Sequence, residues 1–257
     1  MKIALVQLDV QVDTWSAKQL PNLLRQAAGS DLVVFPEFMP FESDSKPLTH
    51  EQAVKVLEKA GREVSDCTFI AGGYVTDGRH TYNRVYFVNR GVVEKHYDKH
   101  IRWNGERFTP GTKAECFEWA GNKCIPLICA DAGDDLTPRK VLMMAAAIKA
   151  GAGNGVPIVV CSYGGGLMTD YWQPALRQWS QGCDAPVVIC GIAGTHPKFK
   201  YRFQGNMHPF GGGGSGAFWP DGTDDQCEEG GIVVVDLTER SVERRDIERA
   251  SRSRPKK

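Results

Sequence analysis

Apolar and polar positions along this chain fall into blocks that switch between two periods. Lys2 to Leu8 is an almost unbroken apolar run, the pattern of a strand buried on both faces. Ser16 to Ala28 carries helical spacing through Leu20, Leu23, Leu24 and Ala27. Asp31 introduces a second buried strand, Leu32-Val33-Val34-Phe35. Thr49 with Gln52 makes a capping box for a helix whose stripe is Ala53, Val56, Leu57, Ala60 and Val64. Thr68 to Val75 predicts a strand. Tyr82 to Asn89 and Val92 to Tyr97 flank Arg90-Gly91 and predict a hairpin.

The second half repeats the style. Strands are predicted at Cys124 to Cys129, Ile158 to Ser162, Val187 to Ile192, Ser215 to Trp219 and Ile232 to Leu237. Helices are predicted at Thr137 to Ala150 and roughly Tyr171 to Gly182. Such alternation predicts an α/β domain in which helices cover one or both faces of the sheets. One domain over residues 1–245 is expected, followed by a polar, basic tail at 246–257.

Composition narrows the class. The 257 residues are 42% hydrophobic and 24% charged, and 31 basic residues balance 31 acidic ones. A neutral surface predicts neither a nucleic-acid partner nor an anionic membrane, and it permits self-association. The run after Met1-Lys2 reads as a strand and not as a signal peptide. No apolar stretch reaches the roughly 18 residues that span a bilayer. Eight cysteines stand outside any Cys-x-x-Cys pair, and Cys161 and Cys190 sit in apolar runs as small hydrophobes. The expectation is a cytoplasmic protein with reduced thiols.

Three polar residues stand directly after buried segments. Glu37 follows Val33-Val34-Phe35-Pro36, Lys99 leaves the hairpin in Tyr97-Asp98-Lys99-His100, and Cys129 ends Ile125-Pro126-Leu127-Ile128. Strand ends are where sheets of this kind present catalytic groups. Each residue alone reads as surface or filler; together, in this order, they read as a site.

At these residues the chain resembles the nitrilase superfamily of carbon–nitrogen hydrolases. The first motif is Phe35-Pro36-Glu37. The second is Tyr97-Asp98-Lys99, then Ile101, Glu106, Phe108 and Pro110-Gly111. The third is Ile128-Cys129-Ala130-Asp131. Gln7, Asn83, Gly213-Gly214-Ser215 and Pro220-Asp221-Gly222 agree in order, so the likeness runs from residue 2 to about residue 237. It implies a four-layer α-β-β-α sandwich, a Glu37–Lys99–Cys129 triad and self-association through helical faces. It also implies that Glu106 helps place Lys99 and substrate.

The chemistry expected of such a site is hydrolysis of a small-molecule amide or carbamoyl amide through a thioester. Lys99 and Glu37 make a Cys129 thiolate available, and Lys99 with the Ala130 N–H faces the oxyanion. Glu37 shuttles the proton. Trp103, Tyr163, Tyr171 and Trp172 are pocket candidates. No cofactor and no metal are expected. The assembly expected is a homodimer or larger even homo-oligomer.

The chain departs from the family after the nucleophile. Ala132-Gly133-Asp134-Asp135 replaces an aromatic-Pro-Glu run, Trp179-Ser-Gln-Gly-Cys183 stands where Arg-Ala-x-Glu-Asn is usual, and Gly191 falls near a usual Asn. Rival readings are a nitrile hydrolase on the same triad, a pseudoenzyme that binds ligand without turnover, a Cys–His protease using His96, His100 or His208, and a metal site at His100, Cys116, Cys124 and Cys129. The cysteine spacings match no zinc template.

Overall fold

The computed structural model describes residues 1–9, 16–41, 47–103, 106–133, 138–162, 172–203 and 206–248, with backbone alone at 138–141, 172, 195–203 and 206–211. In chain order the elements are β1 (Lys2–Gln7), α1 (Leu20–Gln26), β2 (Leu32–Val34), β3 (Pro40–Phe41), β4 (Leu48–Thr49), α2 (His50–Glu63), β5 (Thr68–Asp77), β6 (His80–Asn89) and β7 (Val92–Asp98). Then come β8 (Phe117–Trp119), β9 (Asn122–Ile128), α3 (Pro138–Ala150), β10 (Ile158–Cys161), α4 (Trp172–Cys183), β11 (Val187–Cys190), β12 (Thr195–Phe203) and β13 (Asn206–Gly211). The chain closes with β14 (Ser215–Phe218), β15 (Asp224–Cys227), β16 (Gly231–Asp236) and β17 (Ser241–Arg245).

Two sheets hold the core. The first runs β17-β16-β1-β2-β5-β6-β7, with β3 and β4 added against β5; the second runs β15-β14-β11-β10-β9-β8. Strand parity shows how they stack. Ala4, Val6, Val33 and Phe69 pack with Leu23, Leu24, Leu57 and Ala60 of α1 and α2. The alternate residues Ile3, Leu5, Val34 and Ile70 pack with Ile125, Leu127 and Val160 of the second sheet, whose cluster continues to Met143, Ala147, Leu176 and Trp179 of α3 and α4. The order is helices, sheet, sheet, helices: a four-layer α-β-β-α sandwich. Central strands covered on both faces explain the continuous apolar runs. Among the described residues no helix is long and apolar enough to cross a membrane.

Local chemistry sets several boundaries. At the start of α2, Thr49 Oγ1 accepts from the Gln52 N–H at 3.3 Å and Gln52 Oε1 accepts from the Thr49 N–H at 2.9 Å. Of its expected stripe, Ala53, Leu57 and Ala60 are buried, while Val56 and Val64 are partly so. Helix α1 is shorter than its spacing predicts. It begins at Leu20, with Pro21 in its first turn and no side-chain cap. Strand β9 stops at Ile128, so Cys129 lies just past its end.

Candidate active site

The polarity of the strands brings the three motif residues to one place. β2 and β5 are parallel, and β6 and β7 follow antiparallel in turn, so β2, β5 and β7 end on the same side. Glu37 follows β2 and Lys99 follows β7. Cys129 follows β9, which pairs in parallel with β10, itself parallel to β11. Thus the carboxylate and ammonium come from one sheet and the thiol from the other.

Lys99 is fully buried, and burial opposes its charge. Its ammonium lies 2.9 Å from Glu37 Oε1, and 2.8 and 2.9 Å from the two oxygens of Glu106. Those carboxylates, with Cys129, hold its pKa well above the ordinary lysine value. Glu37 is 2% exposed. Its Oε1 also accepts from the Asn83 amide at 2.7 Å. Burial raises the pKa of Glu106, with Lys99 opposing and Glu37 reinforcing. Glu106 Oε2 accepts from the Trp103 backbone N–H at 2.8 Å. Trp103 therefore serves the site through its main chain, while its ring packs partly against the core.

Cys129 opens a single 3-10 turn, Cys129–Ala132, with φ of +44°. Phe38, beside Glu37, also has positive φ, at +65°. Non-glycine residues held there store about 1–3 kcal/mol each, a strain that concentrates at functional sites. Ala130 follows Cys129 in the turn and is buried. Burial, then the Glu37 charge, pushes the Cys129 thiol far above the ordinary value, with Lys99 opposing, and the thiol hydrogen-bonds to Glu37.

Two carboxylates and one ammonium surround the sulfur, so a thiolate there would add negative charge to a buried site. Burial and Glu37 thus favour the protonated sulfur. Passing its proton to Glu37 leaves the local charge unchanged, which makes ionisation feasible only within the pair.

Asp131 ties the two sheets together. Its Oδ1 accepts from the N–H groups of His100 and Ile101 at 3.0 and 2.8 Å. Its Oδ2 accepts from Tyr97 O–H at 2.8 Å and from the Ile128 N–H at 3.3 Å. Burial raises its pKa, opposed by Lys99 and by the Tyr97 hydrogen bond. The loop after Lys99 returns so closely that the Gly111 N–H donates to the Lys99 carbonyl at 2.9 Å, and a Cβ at Gly111 would collide with the Asp98 carbonyl. That close approach explains the Pro-Gly of the motif.

An aromatic wall of Phe38, Tyr74 and Phe108 stands nearby, with ring centroids 5.0 and 6.5 Å apart in sequence, and the Lys99 ammonium lies 5.7 Å from the Phe108 centroid. A groove of about 330 Å³ runs past Glu106 between Arg79, Arg102 and Arg107. A wider cavity, about 540 Å³, lies along α4 at Pro174, Arg177 and Gln178, away from the triad.

Of the residues expected at the site, Glu37, Lys99, Glu106 and Cys129 meet. Tyr163 and Tyr171 lie outside the described residues, as do Asp134 and Asp135; Trp172 begins α4 with its side chain undescribed. Trp179 and Cys183 are buried in α4. His100 stacks on Tyr97 and pairs through Nε2 with the Lys113 carbonyl, and His96 packs against His50 and Tyr86. Neither supports the Cys–His reading. Asn83 and Asp131 stood in the motifs without a role; their contacts with Glu37 and with the loop after Lys99 are visible only in three dimensions.

No family model matches the chain, and no curated protein matches it in sequence. Solved structures do. An amidase from Nesterenkonia sp. superposes with TM-score 0.67 at 20% identity, covering 92% of this chain and 90% of that one. A carbon–nitrogen hydrolase from Helicobacter pylori gives 0.70 at 17%, covering 91% and 87%. A CN-hydrolase superfamily protein from Xanthomonas campestris, solved with an arsenic adduct in its active site, gives 0.68 at 16%, covering 93% and 91%. The chain has the fold of the nitrilase superfamily, the α-β-β-α sandwich of these carbon–nitrogen hydrolases.

Proposed function

We propose that this protein is a cysteine hydrolase of a small-molecule amide or carbamoyl amide. The observation that carries the reading is the buried Lys99 ammonium held between Glu37 and Glu106, with the Cys129 thiol on Glu37. A fully buried cation is costly without partners, and one of its two partners, Glu37, also hydrogen-bonds the thiol.

The steps follow from the charges. Sγ of Cys129 attacks the carbonyl carbon as its proton passes to Glu37. The oxyanion meets the Lys99 ammonium and the Ala130 N–H, donors typically worth about 10²–10³ in rate. Glu37 returns the proton to the departing nitrogen, and a thioester remains on Cys129. Water, deprotonated by Glu37, attacks that thioester; collapse releases the acid and restores the thiol. The need to protonate an amine leaving group favours an amide over a nitrile. A Glu-to-Gln mutant of the Nesterenkonia amidase has been captured with acrylamide joined by Michael addition to its active-site cysteine, which shows that cysteine to be nucleophilic in that protein.

The three arginines along the groove favour substrates bearing an anionic group, since Arg79 and Arg107 have no ion-pair partner among the described residues. A homodimer is the assembly proposed. Leu142 and Ile148 of α3 are 69% and 45% exposed, and α3 packs on α4 where Met144 meets Gly182. A second copy would cover that apolar face. Intact-mass analysis during turnover tests the function. A transient acyl adduct on Cys129 is expected; inertness toward every amide, carbamoyl compound and nitrile points instead to the ligand-binding reading.

A further inference from the structure

We infer that Asn83 is the positioning residue for the base: by donating to Oε1 of Glu37 it fixes the orientation of that carboxylate against the Cys129 thiol. The inference rests on the cysteine-hydrolase reading of the site.

Asn83 lies in β6, opposite Tyr74 of β5, and is 1% exposed. It touches two members of the triad at once. Its side-chain amide donates to Glu37 Oε1 at 2.7 Å, and its backbone carbonyl accepts the Lys99 N–H at 2.8 Å. Oε1 thus receives two N–H donors, from Asn83 and from the Lys99 ammonium at 2.9 Å. Hydrogen bonds to an ionised carboxylate favour the ionised form.

A packing role alone does not account for this residue. Asn83 Oδ1 is buried and has no hydrogen-bond partner among the described residues, a cost that an apolar side chain of the same volume would avoid. The amide is retained for its donor. Lys99 cannot replace it, because its ammonium is shared with Glu106. The other titratable groups around Glu37 are Glu106 on the loop after β7, Cys129 after β9, Tyr74 of β5 and Cys161 of β10. Lys99 and Asn83 both donate an N–H to Glu37.

The test reads Cys129 directly. The rate of its carbamidomethylation by iodoacetamide is followed by mass spectrometry from about pH 4 to about pH 9 in the wild type, Asn83→Leu and Asn83→Asp. Leu keeps the volume without the donor; Asp replaces the donor with a like charge. The acid limb is expected to move up by about one pH unit in Asn83→Leu and further in Asn83→Asp. A folded Asn83→Leu that lowers Tm but leaves the acid limb in place overturns the inference. If neither variant folds, 15N-asparagine-labelled wild type decides. The Asn83 side-chain amide signal must shift with the same midpoint as the labelling limb, and an indifferent signal overturns the inference. Neither measurement uses a substrate, so failure to find any hydrolysed amide is a separate outcome.

Discussion

Tyr97 donates its phenolic hydrogen to Asp131 across 2.8 Å in the buried centre of the sandwich. The bond joins the strand that delivers Lys99 to the turn that delivers Cys129. Tyr97→Phe should therefore lower stability by about 1–2 kcal/mol, a buried charge-assisted hydrogen bond. Asp131→Ala should cost more, because the N–H groups of His100, Ile101 and Ile128 lose their acceptor together. Denaturant unfolding measures both, and kcat should fall with Asp131→Ala. An Asp131→Ala protein of unchanged stability would show that the carboxylate is not the tie between the sheets.

Glu37→Gln and Lys99→Ala are each expected to remove at least about 10² of kcat/KM, from general-base and oxyanion magnitudes. Near-normal turnover by either protein would mean that the triad is mis-assigned.

Thiol labelling separates a standing thiolate from a base-assisted thiol. The Cys129 pKa is raised by burial and by Glu37, so its direct ionisation lies on the alkaline side of an ordinary thiol. At neutral pH substoichiometric iodoacetamide should still mark Cys129 first, because Glu37 accepts the proton as the C–S bond forms. Glu37→Gln should abolish that preference. Cys67, with its pKa pushed up to about 11 by burial, should remain a poor competitor. Retention of the preference in Glu37→Gln would restore the thiolate picture.

Sedimentation at micromolar concentration should show a dimer. Leu142→Glu with Ile148→Glu should shift it toward monomer, since both side chains stand exposed on α3. A wild-type protein that sediments only as monomer would remove the proposed assembly.

A paired substrate panel checks specificity. Amides carrying a carboxylate should be cleaved with higher kcat/KM than neutral amides of equal size, and Arg79→Ala or Arg107→Ala should narrow the gap. Robust nitrile turnover with inert amides would favour the nitrile reading.

Much of this was legible in the chain. The apolar runs of β1, β2 and β10 announce strands covered on both faces, and Thr49-x-x-Gln52 announces α2. The three motifs announce Glu37, Lys99, Glu106 and Cys129 because each sits at a strand end or on the loop that follows. Other features had no linear signal. The positive φ of Cys129 arises from the turn's path and not from a glycine. The hairpin β12–β13 is a different case, since Lys198, Lys200 and Arg202 alternate with Phe199, Tyr201 and Phe203 and so carry a strand signal. The direction in which the Cys129 thiol shifts had no linear signal either: sequence shows Lys99 and two glutamates, but their burial and spacing appear only in the fold.

The seam between the sheets has a consequence for how this protein fails. Glu37 and Lys99 ride on one sheet and Cys129 on the other, joined by side chains such as Asp131 and by a backbone bridge between Asp9 and Ala193. A slide of one layer over its neighbour by an ångström or so would part sulfur from its base while every strand ladder stayed intact. Warming or pressure should silence the molecule before it melts, with inactivation running ahead of the loss of circular dichroism.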